Sequence, residues 1–481
     1  MASRIPNPIR DPILWIGLGL AKLGIVDERR VRRTTDLAWP RIVTGLARMS
    51  KSAVDVAMVG IAVGSAAIAG VGFAGPFWGL AFVIGGGLAT GTIALVSQRY
   101  GAEAYDQLGQ AVRTSALTVF LGTLPLVVVL WTFPAELIAL LSNDPAAIEQ
   151  GAAYLKIIAL GIPFGALNLV GGRILIGADD AWTPMVLRAS GAVVNIVLNA
   201  VLIFGFGMGV VGAALGTVLA NIVVTAAFLI GLLAGGLPRL PFPVSVSWTG
   251  RYADVETIGD LVRISLPVMG RNSVWVGSRF PLYALLALFG SEVVAAYVIA
   301  MRVWGLMNTP GWGFGLATSS LVGQSIGEGD TTEAERYSHD IAKISVTTYT
   351  VGALFVFVFA VPIIGLFISE DAGATTAPVA VDLVRAACIA VVARGVTGTY
   401  SGALDASGDT TWTFYAYIAG MFGFTIPVVF LGAMTPLGLW GLYLSFFGQS
   451  VVPAIVNYYR FSTGEWKRIS EQYRPEATPA D

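Results

Sequence analysis

Residues Gly177 to Thr217 read GADDAWTPMVLRASGAVVNIVLNAVLIFGFGMGVVGAALGT, and two asparagines, Asn195 and Asn199, interrupt the apolar run. The two are four residues apart, so both amides lie on one face of a helix. In lipid an unsatisfied polar group costs several kcal/mol, and intramembrane polar side chains therefore face other helices or a watery cavity. The pair is either a hydrogen-bonded contact between helices or part of a functional site.

The same stretch returns later in the chain. Shifted by 229 positions, Asp180 falls on Asp409 and Gly209 on Gly438. A shift of 226 positions aligns a second set, in which Gly64, Ser65, Trp78, Gly79, Gln98 and Gly101 fall on Gly290, Ser291, Trp304, Gly305, Gln324 and Gly327. A tandem repeat of this kind is typical of transporters built from two similar bundles, here related by an axis along the membrane normal.

The composition indicates a membrane protein. Hydrophobic residues make up 55% of the 481 residues and charged residues only 12%, and the apolar runs are long enough to span a bilayer. We predict an all-α, polytopic protein with twelve transmembrane helices in two pseudo-symmetric lobes of six. The segments run over residues 35–60, 65–98, 108–132, 147–175, 183–205, 210–235, 258–288, 292–325, 337–367, 377–403, 411–432 and 437–460.

Lysine and arginine indicate the orientation, because they collect in cytoplasmic loops. They occur in the N-terminal segment, the mid-chain link and the C-terminal tail, whereas the alternate loops have neither residue. Both termini are therefore predicted to be cytoplasmic in a plasma-membrane protein. The predicted division is an N-terminal cytoplasmic or interfacial segment (1–33), an N-lobe (34–235), a cytoplasmic linker (236–257), a C-lobe (258–460) and a cytoplasmic tail (461–481).

Charged residues lie inside several predicted spans. Lys51 and Asp55 are four residues apart in the first span. Asp55 lies about fifteen residues past Pro40. They form either a self-compensating pair or a site in which Asp55, with Asn195, Asn199 and Thr217, binds a coupling cation or proton. A carboxylate, two amide oxygens and a hydroxyl are ligands that a hard cation such as Na⁺ accepts.

The spans of the second half have a cationic excess. Four arginines lie in or near them, namely Arg271, Arg279, Arg302 and Arg394. They either attract an anionic substrate or bind backbone carbonyls and lipid phosphates.

Several functions are disfavoured by the inventory of residues. One cysteine and one histidine, Cys388 and His339, cannot form a cysteine metal cluster or an intramembrane Ser-His-Asp triad. We expect no cofactor and no enzymatic activity, and no metal beyond Na⁺ at Asp55. A membrane transferase is a weak rival, because no carboxylate cluster beside a basic phosphate site is visible. No Lys/Arg-rich block suggests a nucleic-acid partner.

Three motifs resemble the multidrug and toxic compound extrusion (MATE) transporters over nearly the whole chain. The family's first helix is resembled by Pro40 with VDVAMVG (Val54 to Gly60). The connection between its fourth and fifth helices resembles GADDAWTPM (Gly177 to Met185), and its fifth helix resembles NIVLNAVLIFG (Asn195 to Gly205). The resemblance implies a V-shaped cleft, alternating access, and export of organic cations or amphiphiles in exchange for Na⁺ or H⁺. We also expect a monomer with membrane lipids as its partners.

The archaeal and DinF-like branch carries an N-lobe cation site that this chain matches with one departure. Its aspartate, asparagine, aspartate and threonine resemble Asp55, Asn195, Asn199 and Thr217, so an amide replaces the second carboxylate. One negative charge fewer weakens cation binding and leaves H⁺ and Na⁺ both open as coupling ions. We expect Lys51, Pro40 and Asp180 to modulate this site.

The alternative within the same fold is a lipid-linked oligosaccharide flippase. Such a protein would use Arg271, Arg279, Arg302 and Arg394 to bind a pyrophosphate.

Overall fold

The computed structural model describes residues 7–247, 249–365 and 373–475. Almost all of these residues are helical. Within the described ranges, β structure is limited to one antiparallel pair of two-residue strands, β1 (Gly236–Leu237) and β2 (Leu240–Pro241). The prediction of an all-α protein is confirmed.

The helices follow the apolar segments of the sequence. In the first half they are α1 (Arg10–Lys22), α2 (Glu28–Val63), α3 (Ser65–Gly101), α4 (Tyr105–Thr132), α5 (Pro134–Ala139), α6 (Pro145–Ala159), α7 (Ile162–Gly177), α8 (Trp182–Ala200), which continues into a π-helical turn (Val201–Gly205), and α9 (Gly209–Ala234). In the second half they are α10 (Val255–Gly277), α11 (Arg279–Leu286), a 3₁₀ turn (Ala287–Phe289), α12 (Ser291–Met307), α13 (Thr309–Gly327), α14 (Thr331–Val358), α15 (Ala360–Gly365), α16 (Gly373–Val391), α17 (Ala393–Ser407), α18 (Thr410–Ile418), a π-helical stretch (Ala419–Thr425), α19 (Ile426–Met434), α20 (Trp440–Ser462) and α21 (Glu465–Ser470).

Length and hydropathy mark the membrane spans. Six helical stretches of the described chain are long and apolar enough to cross a bilayer, and two bent pairs, α6 with α7 (50°) and α16 with α17 (43°), bring the number to eight. The other four predicted segments are also helical, in α2, α10 with α11, α12 with α13, and α20. The charges of α2 make it much less apolar than a typical span. All twelve predicted segments therefore correspond to one helix or to consecutive helices.

The tandem repeat extends to special backbone conformations. Five pairs of residues with positive φ are separated by the same offsets of 226 or 229, namely Gly64 and Gly290, Glu103 and Gly329, Asp179 and Gly408, Gly209 and Gly438, and Gly235 and Gly464. Asp179 has φ 70°, where its repeat partner Gly408 has φ 83°. Aspartate tolerates this left-handed conformation better than most residues, which explains how the turn survives without glycine.

Two compact units group the described residues differently from sequence order. Unit 1 comprises residues 7–42 and 270–475, and unit 2 comprises residues 43–269. Helices α2 and α10 each contribute to both units. In each helix the division falls two residues after a proline, Pro40 or Pro267. The sequence-ordered lobes, 34–235 and 258–460, stay a prediction.

Close backbone packing holds the helices of unit 1 together. Gly311 and Gly315 on α13 face Gly398 and Gly402 on α17, and a Cβ added to any of the four would meet backbone or side-chain atoms of the opposite helix or its neighbours. Small residues at four-residue spacing allow such approach, which is how membrane helices gain packing energy without a hydrophobic driving force. The aromatic core nearby includes the buried rings of Trp304 and Phe446, whose centroids are 5.3 Å apart.

Polar contacts order the segment predicted as a linker. Arg113 on α4 donates from Nη1 to the Ser247 carbonyl (3.0 Å). Asp254 accepts hydrogen bonds at Oδ2 from the amide and the hydroxyl of Thr257 (2.9 and 2.8 Å), and so caps the start of α10. These bonds favour the ionised carboxyl and lower the pKa of Asp254 below its ordinary value.

Candidate ion-coupling site

Both carboxylate oxygens of Asp55 have a polar partner. Oδ2 pairs with Nζ of Lys51 at 2.9 Å, one turn earlier on α2, and Oδ1 accepts a hydrogen bond from Nδ2 of Asn199 on α8, also at 2.9 Å. The side chains of Lys51 and Asp55 are 23% and 20% exposed, so the pair is mostly removed from the surface. The structure therefore contains the Lys51 pair and joins Asp55 to α8 at the same time.

The two asparagines continue this contact into a chain of hydrogen bonds. Asn195 and Asn199 are both fully buried, and Nδ2 of Asn199 lies 3.4 Å from Oδ1 of Asn195. Nδ2 of Asn195 donates to Oγ1 of Thr217 on α9 (3.1 Å), and Thr217 donates to the Ala213 carbonyl (3.0 Å). The structure thus brings together all four residues predicted for ion coupling. Their role in coupling stays a prediction.

Close packing holds Asn199 in place. Gly216 on α9 lies against it, and a Cβ at Gly216 would overlap Asn199 Oδ1. Directly after Ala200, α8 changes to the π-helical turn Val201–Gly205, a rare geometry that often occurs at functional sites. Asn199 Oδ1 is buried, and no hydrogen-bond donor in the described chain reaches it. Leaving a buried oxygen without a donor costs free energy, so this atom needs an explanation.

The donors and acceptors around Asp55 can be compared with what Na⁺ and a proton each require. A hard cation needs several oxygens turned towards it. Here Asp55 faces an ammonium at one oxygen and an amide N–H at the other, so Na⁺ would have to displace Lys51 and turn the Asn199 amide around. A proton needs only one carboxylate oxygen. In this arrangement the residues do not form a sodium cage, and the positive charge beside Asp55 comes from the protein itself.

The two predicted modulators besides Lys51 lie within α2 and just before α8. Asp180 accepts a hydrogen bond from the Thr183 amide at Oδ1 (3.0 Å), and so stabilises the first turn of α8, which carries Asn195 and Asn199. Pro40 lies within α2, where proline removes a backbone hydrogen bond and favours a bend. Whether either residue modulates coupling stays a prediction.

The four arginines predicted for the second half fall into two groups. Arg271 binds both oxygens of Asp405 (3.1 and 3.0 Å) and Oγ1 of Thr413 (2.8 Å). Arg394, which is 6% exposed, donates to Asn308 Oδ1 (2.6 Å) and to Tyr417 OH (3.1 Å). The Arg271 guanidinium also lies over the Tyr417 ring, which links the two arginines.

The remaining two arginines lie outside this cluster. Arg279 and Arg302 are exposed, and Arg279 lies over the Trp275 ring at 5.6 Å. The four arginines therefore do not converge on one phosphate-sized site. The sequence reasoning missed Asp405, because the predicted span ended at residue 403 and left this carboxylate outside it. Asp405 lies near the end of α17, four residues before Asp409, and that spacing was the available signal.

A helical membrane protein in which a carboxylate, two amides and a hydroxyl meet between α2, α8 and α9 is typical of membrane transporters. The family model described as MatE matches residues 40–201 and 267–431, once in each half of the chain. The chain therefore belongs to the MatE family of multidrug and toxic compound extrusion transporters. It is a multi-pass membrane transporter and not an enzyme.

The chain is similar in sequence to curated relatives over most of their length. The chain is 27% identical over 444 residues to "Probable multidrug resistance protein YoeA" of Bacillus subtilis, covering 89% of this chain and 92% of that protein. It is 26% identical over 449 residues to "Multidrug resistance protein PmpM" of Pseudomonas aeruginosa, covering 90% and 92%.

Solved structures share the fold. A MOP superfamily transporter from Pyrococcus furiosus, whose description reports a "reverse polarity of binding pocket", superposes with a TM-score of 0.81 at 22% identity, covering 92% of this chain and 96% of that one. An outward-facing multidrug resistance MATE family transporter gives a TM-score of 0.80 at 23% identity over the same shares.

Proposed function

We propose that this protein is a secondary active antiporter that exports amphiphilic organic cations in exchange for protons, with Asp55 as the coupling residue. The relatives named as multidrug resistance proteins support the substrate class. The same proposal has the protein as a monomer in the plasma membrane, with both termini in the cytoplasm. An inward proton gains about 2.3 kcal/mol per 100 mV of membrane potential, but a monovalent organic cation that leaves in exchange loses the same amount, so a one-for-one exchange is driven by the pH gradient.

The proposal rests on one observation, namely that the two carboxylate oxygens of Asp55 contact different partners, Lys51 and Asn199. Protonation of Oδ2 replaces the charged contact with Lys51, while Asn199 continues to hold Oδ1. The proton thereby frees the Lys51 ammonium from its partner. Loss of the proton restores the ion pair. A two-state contact of this kind responds to the proton gradient without needing a second carboxylate.

Sodium is the alternative coupling ion. The amide at Asn199 in place of a carboxylate favours the proton, since a cation needs net negative charge from its surroundings whereas a proton needs one base. The Lys51 ammonium opposes both ions, because either one adds positive charge beside it.

A lipid-linked oligosaccharide flippase is not favoured. A pyrophosphate site would require converging, available guanidinium groups. Arg271 is instead neutralised by Asp405, Arg394 is buried among neutral partners, and the other two arginines lie outside this cluster.

Transport in proteoliposomes tests the proposal. With a fluorescent organic cation as substrate, we expect counter-transport under an imposed pH gradient and none under a Na⁺ gradient of equal size. Asp55→Asn should abolish the gradient-driven component while the protein remains folded, because asparagine keeps the shape and cannot exchange charge. Asp106→Asn, an exposed acid on α4, is the matched control. Transport driven by Na⁺ alone, or full gradient response in Asp55→Asn, would overturn the assignment.

A further inference from the structure

A groove on unit 1 has no part in the proposed coupling chemistry. It has a volume of about 380 Å³ and lies between α14, α17 and α20. Its lining on α14 is His339, Ala342, Lys343 and Val346, which follow one another along one face of the helix. Val396 and Tyr400 on α17 and Tyr458 on α20 complete it.

The polarity of the groove changes along its length. His339 and Tyr400 share a hydrogen bond between Nδ1 and the hydroxyl (3.0 Å), and Lys343 is one turn further along α14. Beyond them the lining is Val346 and Val396. After Lys343 the sequence has no charged residue up to Gly365, so Lys343 marks the point where α14 leaves the polar boundary and enters hydrocarbon.

The polar end of the groove lies on the same side as both terminal helices. Lys343 Nζ donates to the Ile25 carbonyl just after α1 (2.9 Å), and Glu335 pairs with Lys467 on α21 (2.7 Å). Tyr458 lies two residues before Arg460, near the end of α20, and is 48% exposed. Tyrosines at such positions are typical of the membrane–water interface.

The apolar end continues into surface that a bilayer must cover. Along the α14 face that bears Lys343 and Val346, Leu354 is 62% exposed, and on α20 Ile455, one turn from Tyr458, is 63% exposed. An exposed apolar surface on a transmembrane helix contacts acyl chains. The groove therefore joins an interfacial polar pocket to a lipid-facing wall.

The charge of the groove selects the ligand. Lys343 is the one formally charged residue of its lining, and its side chain is 46% exposed. The nearest acid, Asp340, lies 3.4 Å from Lys343 Nζ and is also bound by Arg30 at 2.8 Å, and Glu335 beside His339 is bound by Lys467. Arg30 also pairs with Glu333, so Asp340 is shared between Arg30 and Lys343. An ammonium has three N–H donors, and the Ile25 carbonyl and Asp340 use two of those of Lys343, which leaves one for an anion.

We propose that this groove binds an anionic glycerophospholipid. Lys343 contacts the phosphate, the His339 and Tyr400 pair borders the headgroup, and one acyl chain lies along Val346 and Val396. The occupant belongs to the leaflet on the side of the terminal helices. Because α14 and α17 form the groove and α17 also carries Asp405, a bound lipid braces the helices that hold the second-half polar cluster.

Native mass spectrometry of the delipidated full chain tests this proposal, with dioleoylphosphatidylglycerol as the probe and dioleoylphosphatidylcholine as the zwitterionic comparison. We expect Lys343→Gln to weaken phosphatidylglycerol binding about fivefold, as for loss of one interfacial cation. Lys343→Arg should retain it. Arg336→Gln removes an exposed cation of the same helix outside the groove and is the matched control. Equal binding of phosphatidylglycerol by Lys343→Gln and the unmodified protein would overturn the proposal.

Two further arms separate a lipid from a free anion. Val346→Trp fills the apolar part of the groove and should reduce phosphatidylglycerol binding even though Lys343 is intact. Unchanged binding in that variant contradicts an acyl chain in the groove. Inorganic phosphate at millimolar concentration should neither displace the lipid nor raise Tm as the lipid does; if it does both, the site is a simple anion site and the lipid assignment is wrong.

Discussion

Asn199 donates a hydrogen bond to Asp55 across 2.9 Å, and it does so with the nitrogen of its amide while the amide oxygen stays buried without a donor. The direction of this bond matters. An aspartate at the same position would present an oxygen to Asp55 and create a repulsive pair that an external cation could relieve.

The first prediction follows from that direction. Asn199→Asp should introduce dependence on Na⁺, because a second carboxylate beside Asp55 supplies the net negative charge that a cation needs and lets Na⁺ bind despite the Lys51 ammonium. Melting in NaCl and in choline chloride at equal ionic strength measures the effect, and we expect a higher Tm in NaCl for the variant alone. Asn168→Asp, which adds a buried acid on α7 away from Asp55, is the control. A variant that melts identically in the two salts contradicts the prediction.

The second prediction concerns the internal cation. Lys51→Gln removes the ammonium that pairs with Asp55, and we expect unfolding to become easier by about 1 to 3 kcal/mol, the usual cost of leaving a mostly buried group without its partner. Monovalent cations should then bind at Asp55, so Na⁺ should raise the Tm of Lys51→Gln more than that of the unmodified protein. Lys156→Gln, which removes a lysine lying over the Trp131 ring, controls for loss of charge in unit 2. An equal response of all three proteins to Na⁺ would show that Lys51 does not occupy the cation's place.

The sequence predicted much of the fold because apolar length, glycine and proline boundaries and the tandem repeat are local or periodic signals. It also indicated that Asp55, Asn195, Asn199 and Thr217 belong together, since polar residues in lipid must find partners. It did not predict that Asn199 would donate a hydrogen bond from Nδ2 to Asp55 and leave Oδ1 without a donor, because the orientation of the amide depends on packing against Gly216.

The contacts of Arg271, Asp405 and Arg394 in the second half show the same limit of sequence-based prediction. Arg271 and Asp405 are 134 residues apart, and no periodicity connects them. Their pairing arises only when the fold brings α10 and α17 close enough for the two long side chains to meet. The sequence therefore indicated unexplained positive charge where the structure has a neutralised ion pair and a buried Arg394 held by neutral groups.

The third prediction tests the packing of Asn199. Gly216→Ala places a methyl group where Asn199 Oδ1 lies, so either α9 moves or the asparagine leaves Asp55. We expect a loss of stability of about 1 to 3 kcal/mol, as for overpacking in a core, and a loss of gradient-driven transport. Gly72→Ala on α3, where an added methyl meets open space, should be neutral or stabilising by up to about 1 kcal/mol, through helix propensity. Normal transport in Gly216→Ala would mean that the Asn199 contact is dispensable.

The last prediction concerns the ion pair of the second half. The side chains of Arg271 and Asp405 are 13% and 8% exposed, so removing either partner strands a buried charge. Asp405→Leu and Arg271→Met should each destabilise the protein by about 3 to 5 kcal/mol, whereas the double variant should recover most of that loss because well-packed apolar residues replace a buried pair at little cost. Thermal unfolding in detergent, analysed as a double-mutant cycle, measures the coupling.

An exposed pair of the same unit provides the comparison. Arg468 and Glu465 are 69% and 45% exposed, and Glu465→Gln should cost about 0 to 1 kcal/mol, because solvent screens the charges. If Asp405→Leu proves as mild as Glu465→Gln, the Arg271 charge must be satisfied by Thr413 and Tyr417 without the carboxylate. The cluster would then have an acidic group available for ion exchange. Recovery in the double variant, combined with severe loss in both single variants, instead assigns Asp405 to a structural ion pair that links α10 and α17.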